Sequence, residues 1–221
     1  VSKHKNLLER TLQTAIEGYG KRPWKNEAEK DRYILHEISH IKAITKLQIQ
    51  LNQYADQAKS MTTEALMAET ANSETLGKNM RASGKPKPDF CWDAHHIISG
   101  GHPEAAALRA IIALLKLRID DPGNGVWLPS RTEHTGRDPY PRAVPHSRIH
   151  RQNYYDWLNE NLLHIRTEFA LRRALDIIEK KLLTADFPRK VMLVKGDKRA
   201  SLAEFQEPFW DGTPWKQIGK I

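Results

Sequence analysis

The chain has 221 residues, 39% hydrophobic and 28% charged, and its 35 Lys and Arg against 27 Asp and Glu leave a net charge of +8. That length can bury a real core, and no apolar run approaches the roughly 18 residues of a membrane span, so a soluble globular protein is expected. The single cysteine, Cys91, excludes an internal disulfide and a Cys-based zinc site, and the basic balance favours a polyanionic partner.

Leu8, Leu12, Ala15 and Ile16 recur at helical spacing over residues 4–18, with Gly18 and Gly20 as the stop. Asn26 followed by Glu29 reads as a capping box for a long helix ending near Lys59. Its seam is Ile34, Ile38, Ile41, Ile44, Leu47, Leu51, Tyr54 and Ala58, a period near 3.5 that predicts lengthwise packing on another helix. Short helices around 63–71 and 73–80 follow. "ASGKPKPDF" (82–90) is a loop. "CWDAHHII" has strand propensity in its second half, and Pro103 opens a helix over 103–117. "DDPGNG" is turn chemistry and "VWLP" (126–129) a short strand. After a proline-rich loop, helices are expected from His146 or Ser147 and from Thr167 to Leu183, the latter burying Phe169, Leu171, Leu175, Ile178 and Leu182. "VMLV" (191–194) reads as a last strand. The fold class is therefore α+β and mostly helical. It divides into an N-terminal helical segment (1–75, a long hairpin), a central domain (76–185) and a C-terminal extension packed on it (186–221).

With ten histidines, an adjacent pair or a His-x3-His pair means little alone. The chain has two of the latter. The first, in "HEISH", matches the zinc-peptidase pattern: His36 and His40 would bind zinc, Glu37 would activate water, and Glu64 is a candidate third ligand. The seam residues Ile34, Ile38 and Ile41 turn this motif outward, and no sheet precedes it to form a cleft. A solvated helix face is the expectation, with a zinc metallopeptidase as the alternative. The N-terminal helices also suit an adaptor or binding module.

The second pair belongs to an ordered set. Ala94-His95-His96-Ile97-Ile98 is followed by Asn124-Gly125-Val126-Trp127-Leu128-Pro129, then His146-x3-His150, then Tyr154-Tyr155. A helix places His146 and His150 one turn apart, able to grip a metal together. One strand histidine would complete the site. The other, a neutral imidazole near pH 7, would take a proton from water, with Asn124 placed to hold its second nitrogen. An all-imidazole site suits zinc, nickel or manganese better than magnesium. Arg148 and Arg151 flank the pair as candidate phosphate contacts.

This set resembles the AHH nucleases, a branch of the HNH/endonuclease VII superfamily with a ββα-metal core. The resemblance covers roughly residues 76–180. It implies a metal-dependent endonuclease with one divalent ion (Zn, Ni, Mn or Mg) on His95, His146 and His150. His96 would be the general base and Asn124 its orienting partner, and the helix over 103–117 is an insertion between the two strands. In an endonuclease VII-like version, Asn124 would itself bind the metal and His146 or His150 would contact phosphate. Family members are commonly toxin domains. The resemblance therefore implies DNA as substrate through non-specific backbone contacts, an acidic immunity protein, and a secretion-system carrier. Such an effector is made in the bacterial cytoplasm, leaves without a cleavable signal peptide and acts in the cytoplasm of a target cell.

Overall fold

The computed structural model describes residues 2–20, 22–188 and 191. They form α1 (Ser2–Gly20), α2 (Glu27–Ser60), α3 (Thr63–Met67), α4 (Ser73–Ala82), β1 (Trp92–His96), α5 (Ala106–Leu114), β2 (Gly125–Pro129), α6 (Gln152–Leu162) and α7 (Glu168–Thr184). The chain divides into two compact units, Val1–Asp56 and Gln57–Ile221. The division falls at 56/57 instead of the expected 75/76, because α3 packs on α5 and α4 on β1. Of the expected strand at 191–194 only Val191 is described, and most of the 186–221 extension lies outside the described residues.

In the first unit an aromatic turn joins α1 to α2. The Trp24 indole N–H donates to the Tyr19 carbonyl at 2.9 Å, and Tyr33 packs on both rings. Asn26 caps α2, its Oδ1 accepting from the Glu29 N–H at 2.8 Å. The Glu29 carboxylate reaches back to the N–H of Lys25 rather than of Asn26, one residue earlier than the expected box. Ile34, Ile38 and Ile41 are half-buried, but Ile44 and Leu47 are 41% and 43% exposed. Thr45 and Ile49 turn inward in their place. A straight helix keeps 3.6 residues per turn and drifts off a 3.5-residue stripe, so positions four apart from Ile41 inherit the buried face.

The second unit is built on a two-stranded antiparallel sheet in which Trp92 faces Pro129, Ala94 faces Trp127 and His96 faces Gly125. Some 28 residues separate the strands, and α5 is the main element of that insertion. Paired residues share a face, so the sheet has two distinct sides. One side holds Trp92, Ala94 and Trp127, which pack with Leu76 and Met80 of α4 and with Ala143. Val126, Leu128 and Ile97 belong to the main core with α5, α6 and α7, where Tyr154, Leu158, Leu171 and Leu175 are at most 1% exposed. Burying each such side chain is worth about 1.5–3 kcal/mol. Gly125 is required by close packing, since a Cβ there would lie 2.6 Å from the Met80 sulfur and 2.8 Å from Leu76 Cδ1.

Two expected helices begin later than their sequence suggests, and a third turns one expected core residue outward. Pro103–Ala105 is a 3-10 turn before α5, and Lys116, at φ 59°, ends the segment in the left-handed region. Phe169 is 77% exposed although the stripe Leu171, Leu175, Ile178 and Leu182 of α7 is buried. It sits two residues before Leu171, about 200° around the helix, and so faces outward. His146–Arg148 is also a 3-10 turn rather than the start of an α-helix, and α6 begins only at Gln152. The Arg148 N–H closes that turn on the Pro145 carbonyl, and Arg151 is extended (φ −123°, ψ 152°), which breaks helical continuity.

Candidate metal centre

The pleat of β1 sends His95 and His96 to opposite faces. His95 is 2% exposed, and its ring meets those of His146 and His150 edge-on at 4.9 and 5.1 Å between centroids. The last two rings are 5.1 Å apart. One ring nitrogen from each of the three lies within 4.8 Å of the others, the only such group of His, Cys, Asp or Glu among the described residues. The Nε2 atoms of His146 and His150 stand 3.1 Å apart. Nitrogens at 2.0–2.1 Å from a tetrahedral zinc would be roughly 3.3 Å apart. The 3-10 turn with Ile149 and His150 thus does what an α-helical turn was expected to do.

His95 Nε2 is buried and has no hydrogen-bond partner. An unpaired buried polar atom costs about 1–3 kcal/mol, so such atoms call for a reason. A cation between the three rings supplies one. Burial, then the neighbouring imidazoles of His146 and His150, push the His95 imidazole well below its ordinary range. Burial of the ring among its neighbours and His146 likewise lower His150 to about 4, although the residue as a whole is exposed. Both are neutral at pH 7, the state a metal ligand requires.

The outer nitrogens are partnered. His146 Nδ1 lies 3.5 Å from a carboxylate oxygen of Asp93, and His150 Nδ1 lies 3.2 Å from the Tyr155 hydroxyl. Such partners fix ring orientation and leave Nε2 facing the centre.

His96 turns to the α4 side. Its Nε2 lies 2.7 Å from Oδ1 of Asp120, and the same oxygen accepts the Asn72 N–H at 2.9 Å. The Asp120 carbonyl accepts from the Asn79 side chain, so the acid is tied to both the cap and the body of α4. Asp120 is the site residue that sequence reasoning missed. Asn124, expected on the His96 ring, is instead 1% exposed, with its amide oxygen on the Ile98 N–H and its amide nitrogen on the carbonyls of Ile98 and Ile119. Its carbonyl takes the Ile97 N–H at 2.8 Å. Both amide protons are spent on backbone, because the turn "DDPGNG" carries Asn124 beneath the residues that follow His96. The side chain clamps that loop and does not touch the imidazole.

Residues 76–182 match the model of a family described as AHH, a nuclease family of the HNH/ENDO VII superfamily with conserved AHH. This stretch belongs to that family. No curated protein and no solved structure matches significantly. The AHH domain is accordingly a nuclease that hydrolyses phosphodiester bonds, and the His95, His146 and His150 group is where it could hold the divalent ion that its superfamily uses.

The flanking arginines of the AHH domain are engaged within the protein. Arg148 donates Nε–H to the Thr132 hydroxyl at 3.1 Å, and Arg151 donates Nε–H to the Arg148 carbonyl at 3.0 Å. Outside the AHH domain, "HEISH" forms no such centre. His36 and His40 are exposed with ring centroids 6.5 Å apart, and Glu37 accepts a hydrogen bond from the Tyr19 hydroxyl. Glu64 accepts bonds in its own helix cap and belongs to no metal-binding group among the described residues. With the nuclease family matched, the metallopeptidase alternative is set aside.

Proposed function

We propose that the AHH domain is a DNA endonuclease in which His95, His146 and His150 hold one divalent ion and His96 is the general base. The observation that carries this is the buried, unpartnered Nε2 of His95 facing two further imidazoles. An ion held there supplies Lewis acidity to the phosphoryl oxygens and to the leaving 3′ oxygen. Three imidazole ligands favour zinc, nickel or manganese over magnesium.

The chain's own residues supply the rest. Asp120 accepts from Nε2 of His96 and thereby fixes the tautomer, leaving Nδ1 as the basic atom. His96 takes a proton from water at Nδ1 as oxygen attacks phosphorus in line with the leaving oxygen. The imidazolium formed is stabilised by the Asp120 carboxylate. Asn124 keeps the strand end from shifting by holding Ile97 and Ile98. Arg148 and Arg151 add positive potential on the ligand turn.

The net charge of +8 suits non-specific backbone binding to DNA and also an acidic protein inhibitor. Together with the family's usual role, this supports an antibacterial effector domain, passed to a target cell by a secretion-system carrier and neutralised in the producer by an immunity protein. Within the described residues no helix is long and apolar enough to cross a membrane. The test offers supercoiled plasmid with Mg, Mn, Ni or Zn to wild type and His96→Ala. Nicking by wild type alone is expected; identical behaviour of the two proteins would sink the assignment of His96.

A further inference from the structure

A cavity of about 380 Å³ opens beside the metal centre, and His146 is part of its wall. Its floor is the α4-facing side of the sheet, where Trp92, Ala94 and Trp127 lie, and its rim carries Arg81 and Lys87. Arg81 comes from the end of α4 and Lys87 from the loop before β1, and both are exposed. Each charge stands 5.8 Å from the Trp127 ring, so two like charges are gathered over one indole. Gly77 permits this approach, since a Cβ there would already lie 3.0 Å from the Trp127 ring edge.

Charge accounting separates the four ionic groups of the wall. Glu74 is paired with Lys78 at 2.8 Å, and Asp93 with the outer nitrogen of His146 at 3.5 Å. Arg81 makes no salt bridge among the described residues, although its charge also acts on the Glu74 carboxylate of the same helix. Lys87 gives one bond, to the Phe90 carbonyl at 3.0 Å, and retains two ammonium protons. The wall thus holds two cations that make no salt bridge, against one carboxylate, Asp93, that faces only an imidazole, while the arginines on the ligand turn are bonded to the protein.

We infer that this groove receives the substrate strand beside the scissile phosphate, with a neighbouring phosphate of the polynucleotide held by Arg81 and Lys87. The inference rests on His146 being part of the active centre. A phosphodiester anion fits better than a carboxylate metabolite. The cations are exposed, they share one wall with His146, and neither selects a base. Contacts of this kind position the backbone and read no base.

The test measures binding of a short fluorescent DNA duplex to the full chain in EDTA across a salt series, for wild type, Arg81→Gln, Lys87→Gln, the double variant and Arg81→Lys. Each Gln variant should weaken binding several-fold and lower the slope of log K against log salt by about 0.9. Arg81→Lys should restore most of both. At saturating DNA with metal, the double variant should keep its turnover while KM rises. Unchanged affinity and slope in the double variant, with an unaltered melting temperature, would overturn the groove. A wild type that binds DNA through these cations but never cuts it would leave the groove standing and overturn the catalytic assignment. A wild type that binds no DNA would overturn both.

Discussion

The chain contains the same spacing twice, and among the described residues only one copy belongs to a group that could hold a metal. His36 and His40 lie on a regular stretch of α2, exposed, with rings 6.5 Å apart and no third ligand among the described residues. His146 and His150 span a 3-10 turn and the helical-region residue Ile149, with rings 5.1 Å apart and His95 across from them. A regular helix aligns two side chains but adds nothing above them. The irregular turn sits over a strand that delivers a buried third nitrogen. What separates a metal centre from a solvated helix face here is the element opposite, not the spacing.

Removing ligands tests that contrast most severely. His146→Ala or His150→Ala should reduce plasmid cleavage by about three orders of magnitude or more, as expected when the ion's charge stabilisation is worth several kcal/mol. Zinc affinity, read by competition with a chromophoric chelator, should collapse in parallel. The double variant His36→Ala/His40→Ala should match wild type in both assays. If that double variant is the one that loses zinc, the two pairs have exchanged roles.

His96→Ala comes next. A general base contributes about 10²–10⁴-fold, so turnover should fall by that factor while zinc affinity stays at the wild-type value. Loss of both together would mean that His96 is a ligand or a fold element. Asp120→Asn keeps an acceptor oxygen but loses the charge that supports the imidazolium, and should cost about 10–100-fold in turnover, by analogy with outer-shell partners of metal-site histidines. Its KM should not move. A raised KM with unchanged turnover would deny Asp120 its orienting role.

The order in which these residues could be seen explains what the sequence made legible. The second strand, the intervening helix and the His146/His150 pair follow from local signals, namely turn chemistry, proline at a helix start and a His-x3-His spacing; the first strand lies earlier than its apolar end suggests, at Trp92–His96, and the choice of His95 over His96 follows from the resemblance to the AHH nucleases. Asp120 carries no local signal. It is one of two acids in a turn, and it meets His96 only because β1 and β2 pair in the register His96 to Gly125. Asn124 was legible as important and misread in role, since its position at the strand lip does not say whether the amide points at a ring or at backbone. The 3-10 turn at His146 was hidden for a similar reason. Periodicity through "HSRIHRQNYYDW" is helical, and only the Pro145 carbonyl and the extended Arg151 divide it.

Acid should erase the difference between the two regions gradually. His95 and His150 have folded pKa values below the ordinary imidazole value near 6.5, so between that value and about 4 the unfolded chain binds protons that the folded chain refuses. Stability of the metal-free protein should therefore be full above pH 7 and decline as pH falls through this window. Urea unfolding in EDTA at pH 7.5 and pH 5 measures it. The dependence should flatten in His150→Gln, whereas His36→Gln should leave it in place. A wild-type midpoint that does not move with pH would contradict the burial of His95.

The smallest expected effect lies in the first unit. Asn26 caps α2 through a 2.8 Å bond to the Glu29 N–H. Asn26→Ala should cost about 1 kcal/mol, the usual worth of such a cap. Because the chain divides at 56/57 and every proposed site residue falls after it, that loss should stay local. Amide exchange in the first turn of α2 should rise about fivefold, the ratio that 1 kcal/mol corresponds to at 25 °C, while exchange in α6 and α7 stays constant. Cleavage rate and zinc affinity should not change. A fall in either would mean that α2 supports the nuclease centre, and the helical unit would then belong to the catalytic fold rather than stand beside it.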